Sequence, residues 1–134
     1  MTSELQWLLY TVLMTALFWL PYILDRLKVR GVIPAMTGNE AEEGVDHSPW
    51  AKRARAAHRN AVENLVIFAA AVLACQALGI STPATAWAAL IYFFARLVHY
   101  VVYTLGVPYL RTLSFAAGFA CQLVLIFSAL GWMR

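Results

Sequence analysis

Four apolar stretches limit what this chain can fold into. Each approaches the roughly 20 residues that an α-helix needs to cross about 30 Å of hydrocarbon. They fall within residues 5–24, 50–78, 83–105 and 109–133. Inside lipid every backbone donor and acceptor must be satisfied within the protein, so a spanning segment is a helix or part of a closed barrel. No ten-residue stretch alternates at period two, as a barrel strand would. The sequence therefore predicts an all-α membrane protein, a four-transmembrane-helix bundle forming one domain over residues 1–134, with a polar loop at about 25–49. Composition agrees: 62% of residues are hydrophobic and 13% charged, against about 45–50% and about 25% in soluble domains. The net charge of +3 is small and forms no basic stripe, so nucleic acid is not an expected partner.

The first apolar stretch is read as a retained anchor. It begins with Glu4 rather than a basic region, exceeds the length of a signal-peptide core, and continues as PYILDRLKVR with no small-residue cleavage site. Cys75 and Cys121 lie inside apolar runs and are expected to act as small hydrophobes at helix contacts. No cysteine and histidine cluster has metal-ligand spacing, so no metal is expected.

The connections differ in kind. "GIST" joins the second and third spans and "GVP" the third and fourth, whereas the first and second are separated by a polar segment that includes PAMTGNEAEEGVDHSP. That segment reads as a mobile, solvent-exposed loop. Arg26, Lys28, Arg30, Lys52, Arg53, Arg55 and Arg59 flank it, and the short loop after the second span carries no Lys or Arg. The positive-inside rule puts the basic end in the cytoplasm and both termini outside. Interfacial anchoring is the simple reading of Arg26, Lys28, Arg30, Lys52 and Arg53; Tyr103 and Tyr109 suit an aromatic belt equally well.

Polar residues inside the spans ask for a further reason, because a charge near the bilayer centre costs roughly 2.5–3.5 kcal/mol on insertion scales. In the second span Arg55, Arg59 and Glu63 recur at intervals of four, and Asn60, Glu63 and Asn64 share an adjacent face. Residues three and four apart are neighbours on a helix, so an Arg59–Glu63 pair is expected. In the third span Arg96, His99 and Tyr103 form a stripe, and Arg111, Thr112 and Ser114 open the fourth. Intramembrane ionisable groups face a bundle interior or cavity, so these residues are expected to share one polar site between helices at the basic end. Arginine grips carboxylates and phosphates, and a carboxylate or amide suits an ammonium group. A small peptide-like thiol fits that mixture, and so does a lipid headgroup.

The runs AHRNAVENLVIF, ARLVHYVVY and YLRTLSF, in this order, resemble the MAPEG family of membrane-associated proteins in eicosanoid and glutathione metabolism, most of all its short bacterial members. The resemblance covers essentially the whole chain. It implies a homotrimer of four-helix protomers in a bacterial inner membrane, with glutathione as co-substrate bound between subunits on the cytoplasmic side. By the same resemblance Arg59, Asn60, Glu63, Arg96, His99 and Tyr103 contact glutathione, and Arg26 or Arg30 adds a further arginine. Arg111, with Thr112 or Ser114 as hydrogen-bond donor, activates the thiol toward a small hydrophobic electrophile arriving from the bilayer, as a transferase or peroxidase. Ala56 departs from the arginine of several eukaryotic members, and Thr112 and Phe115 from the serine and tyrosine of the prostaglandin E synthase. Prostaglandin isomerisation is accordingly the least supported of the family's activities.

Two other classes compete. A small four-helix transporter would use Glu63 for proton coupling, although such exporters carry their carboxylate in the first span, which is uncharged here over 5–24. A non-catalytic lipid-binding protein could keep the same scaffold. Ser114, Ala116, Ala117, Gly118 and Ala120 favour close helix packing under every reading.

Overall fold

A computed structural model describes residues 1–38 and 47–133. The acidic centre of the first loop lies outside the described residues. Among the described residues six helices follow in order: α1 (Ser3–Leu17), α2 (Leu20–Arg30), α3 (Val32–Thr37), α4 (Pro49–Ala77), α5 (Pro83–Leu105) and α6 (Pro108–Ala129). Together α1 and α2 make one span, Ser3–Arg30, and α4, α5 and α6 supply three more. The chain is an all-helical, multi-pass membrane protein.

The first span differs from the single helix over 5–24 that the sequence suggests. Proline lacks an N–H and crowds the carbonyl four residues back, so Pro21 disrupts the ladder at Leu17, where α1 ends. The chain tightens there, Phe18 N–H donating to the Thr15 carbonyl at 3.2 Å. α5 repairs the break: the Tyr100 hydroxyl donates to the Phe18 carbonyl at 2.9 Å, and the two rings stack with centroids 3.8 Å apart. Beyond the break α2 continues to Arg30, and Gly31, at φ 85°, turns the chain into α3. The first part of the expected polar loop is thus helical. At the other end of the sequence α6 stops at Ala129, short of the expected 133.

α5 is the central helix, packed against α1, α4 and α6. Its start is fixed by Thr82 and Thr85, whose side chains reciprocally cap each other's backbone N–H groups, with Pro83 in the first turn. It ends at Gly106 in the left-handed region, φ 77°. There Arg53 of α4 donates from Nε to the Thr104 carbonyl at 2.9 Å, tying the start of α4 to the end of α5. The main core gathers Leu8, Phe68, Val72, Tyr92 and Leu125, with Phe68 stacked on Tyr92 at 3.8 Å. Towards the basic end buried Ala54, Ala57 and Ala61 let α4 approach Phe18 and Tyr100 closely.

A carboxylate that the sequence reading used only to argue against a signal peptide closes the opposite end. Glu4, 2% exposed, accepts from the Thr85 hydroxyl at 2.5 Å and from Ser81 Oγ at 3.0 and 3.1 Å. Hydrogen bonds to a charged group contribute about 1.5–3 kcal/mol each. Two hydroxyls donate to Glu4, so Glu4→Leu is expected to lower stability by about 3–6 kcal/mol. Thermal unfolding in detergent measures this, and a double-mutant cycle with Thr85→Val should show coupling between the two positions; additive losses would mean that the contact contributes nothing.

Candidate functional site

The basic end is built by four helix ends: the last turns of α2, the first half of α4, the end of α5 and the start of α6. Helical spacing sends Arg96, His99 and Tyr103 of α5 down one side, facing Asn60 of α4 and the first turns of α6. Asn60, His99, Tyr103, Arg111, Thr112 and Phe115 line a cleft of about 200 Å³.

Behind the Asn60 wall of the cleft lies a hydrogen-bonded network. Arg96, 2% exposed, donates from Nη2 to Asn60 Oδ1 at 2.5 Å. Asn64 Nδ2 donates to the Asn60 carbonyl at 2.9 Å, and Gln122 of α6 donates to the Asn64 carbonyl at 3.1 Å. Helical spacing puts Asn64 beside Asn60, as expected; Gln122 was not expected here, and its lone amide in an apolar helix is the signal that marks it. This chain of amides fixes Asn60 from behind and leaves its outer edge to the cleft.

The walls are cationic and aromatic. The Arg111 guanidinium sits over the Tyr103 ring, 4.8 Å from its centroid, a cation–π arrangement that steadies an otherwise exposed side chain. His99, 2% exposed, packs edge-on to Tyr103 with centroids 5.6 Å apart. Its Nδ1 and the Nε of Arg96 are buried without a hydrogen-bond partner among the described residues. Nor does any carboxylate form a salt bridge with Arg96 or Arg111 among those residues. A buried guanidinium lacking a counter-ion is costly, and Arg96 has only the Asn60 amide oxygen to offset that cost among the described residues.

Thr112 and Ser114 separate clearly. Ser114 is buried and its hydroxyl is held by the Leu110 and Arg111 carbonyls at 2.7 and 3.0 Å; it lines an apolar groove with Val98 and Leu113 instead. Thr112 lines the cleft, and its hydroxyl makes only a 3.3 Å bond to the Pro108 carbonyl. Of the two candidate donors beside Arg111, Thr112 is the one a ligand can reach.

A model of the MAPEG family matches residues 7–131. The chain belongs to the MAPEG family. The matched region takes in the first span from residue 7, the other three spans and the whole cleft, and membership makes the chain a membrane protein related to glutathione or eicosanoid metabolism. No curated protein and no solved structure matches it significantly.

Several residues that the MAPEG resemblance implicates lie outside the cleft of the single protomer. Arg59 and Glu63 are exposed on α4; on a helix they sit about 100° and about 60° to one side of Asn60, forming an outward face next to it. The expected Arg59–Glu63 ion pair is not formed among the described residues. Arg26 is buried and donates to the Gly38 carbonyl at 2.9 Å, holding the end of α3. Arg30 lies half-buried in the last turn of α2, away from the lining. The neighbouring Asp25, which no local sequence pattern marks, accepts from Ser48 N–H and Oγ at 3.0 and 2.6 Å and lies 3.6 Å from His47. These contacts make Asp25, Arg26 and their partners a clasp between α2, α3 and the start of α4.

Proposed function

We propose that this protein is a glutathione-dependent membrane transferase or peroxidase that acts on hydrophobic electrophiles by activating the thiol at a subunit interface. The observation that carries this reading is the cleft lined by exposed Arg111 and by Asn60, which buried Arg96 holds from behind; among the described residues neither guanidinium has a carboxylate partner. The γ-glutamyl and glycyl carboxylates of glutathione supply the missing negative charge, and the amides of Asn60 and the imidazole of His99 offer hydrogen bonds to its peptide backbone. A free thiol ionises near ~8.5, and positive charge beside it stabilises the thiolate. The Arg111 guanidinium supplies that charge, with the Thr112 hydroxyl as donor to sulfur. The proton leaves to water; the thiolate then forms a carbon–sulfur bond as the leaving group departs, or attacks a hydroperoxide oxygen. In the second case the O–O bond breaks, the alcohol is released, and a second glutathione converts the resulting glutathione sulfenic acid to the disulfide and water.

Two features favour a site shared between copies of the chain. The cleft of about 200 Å³ is smaller than the roughly 300 Å³ at which ligand pockets begin, so a tripeptide needs another wall. Glu63 stands midway along the 29-residue α4 and is exposed, where contact with acyl chains would cost roughly 2.5–3.5 kcal/mol. A homotrimer covers Glu63 and Arg59 with a neighbouring subunit and turns both towards the ligand, where Glu63 can hold the ammonium group of glutathione. In this arrangement the basic end faces the cytoplasm of a bacterial inner-membrane protein.

Titration calorimetry of detergent-purified protein with glutathione tests the proposal. Arg59→Ala and Glu63→Gln should each weaken binding by about tenfold, the value of one charge-assisted contact. Wild-type affinity in both variants, or no binding to the wild-type protein at millimolar glutathione, would remove the assignment.

A further inference from the structure

The first span is longer than the membrane it crosses. Its 28 residues rise about 42 Å at 1.5 Å per residue, against a hydrocarbon thickness of about 30 Å. The surplus falls at the basic end, because Glu4 is locked to Ser81 and Thr85 at the other. Lys28 and Arg30 therefore reach headgroup level, and α3 follows them after the Gly31 turn. The antiparallel register agrees: Tyr22 Oη and His58 Nδ1 meet at 2.8 Å, which sets Lys52, six residues before His58, level with Lys28, six residues after Tyr22.

At that level α3 is held firmly and yet exposes apolar side chains. Arg26 grips the Gly38 carbonyl just beyond its end, and Gly31 donates to the Leu27 carbonyl at 2.9 Å before it. Val32, Ile33 and Met36, 60%, 74% and 78% exposed, fall on one face at i, i+1 and i+4. A soluble surface would waste that face, whereas a helix at the end of a span can sink it into the boundary between headgroups and acyl chains. Lys28 and Lys52 are exposed beside it, and Trp50, 39% exposed, has the amphipathic ring favoured at this depth.

We propose that α3 is a membrane-interface foot that seats Val32, Ile33 and Met36 among the lipids, and that Lys28 and Lys52 beside it bind the headgroups of anionic phospholipids. Membrane-facing basic residues attract anionic lipid, each by a modest amount that falls with salt. The foot would fix the height of α2 and, through the Asp25–Ser48 clasp, that of α4. It is independent of the chemistry in the cleft.

The test places an environment-sensitive fluorophore at Ile33→Cys, with Cys75→Ala and Cys121→Ala removing the native thiols, in nanodiscs of known composition. Blue-shifted emission that is quenched by lipids carrying a shallow quencher is expected. Water-like emission would overturn the foot, and so would blue-shifted emission that lipid cannot quench, which would mean that protein covers it. Native mass spectrometry supplies the second arm, comparing phosphatidylglycerol with phosphatidylcholine. Lys28→Gln and Lys52→Gln should each reduce the preference for phosphatidylglycerol by about fivefold, with the loss fading in high salt. No preference in the wild-type protein, or one untouched by both substitutions, would overturn the headgroup assignment.

Discussion

Arg111→Leu is expected to lower glutathione-dependent turnover by about a hundredfold or more, the effect of removing one preorganised group from a developing anion. Arg111 is exposed and steadied by Tyr103 rather than built into the core. The substitution should therefore leave thermal stability unchanged, and the loss belongs to chemistry rather than folding. The sensitive readout is the ultraviolet absorbance of bound glutathione thiolate, which should vanish in the variant at a pH where the wild-type protein shows it. Thr112→Val should have a smaller effect in the same direction, since a hydroxyl donates one bond and carries no charge. Full turnover in Arg111→Leu would move thiol activation to another residue.

Arg96→Met is expected to separate function from stability. Arg96 is buried and donates to Asn60 without a carboxylate to balance its charge among the described residues. A buried charge without a counter-ion carries an uncompensated desolvation penalty, which an apolar side chain of similar volume removes. Thermal unfolding should thus occur at the same or a higher temperature. Glutathione affinity should fall by about 10–100-fold, because Asn60 loses the donor that orients it and the site loses a positive charge behind that amide. A variant that unfolds earlier and still binds normally would make Arg96 a structural residue.

Much of this arrangement is legible in the sequence because local chemistry decides it. Pro83 and Gly106 mark the ends of α5, and three residues at helical spacing inside an apolar run can only share a face. That is why His99 and Tyr103, with Arg111 and Thr112 eight and nine residues beyond Tyr103, come to line one cleft. Asn60 joins them because the family motif carries it at the right height on α4. The direction of Glu63 was not legible. In a soluble helix polarity separates inside from outside, but lipid is as apolar as a core, so the stripe containing Glu63 could face either the protomer's interior or its outer surface. The structure puts it outside. Nor could Glu4 be placed, since its partners lie 77 and 81 residues away and nothing local distinguishes it from a solvated terminal residue. The break before Pro21 was foreshadowed by the proline, but its repair depends on Tyr100 from another helix.

The contact between Glu4 and Thr85 also sets an order in time. At about 5–20 residues per second, the ribosome needs roughly 4–16 s to add the 81 residues that separate them. The first span is made long before its carboxylate can meet either hydroxyl. Until the α4–α5 turn emerges, Glu4 has only water and headgroups to bond, so that end of α1 stays at the bilayer surface. The last adjustment of the first helix therefore waits for the start of the third span.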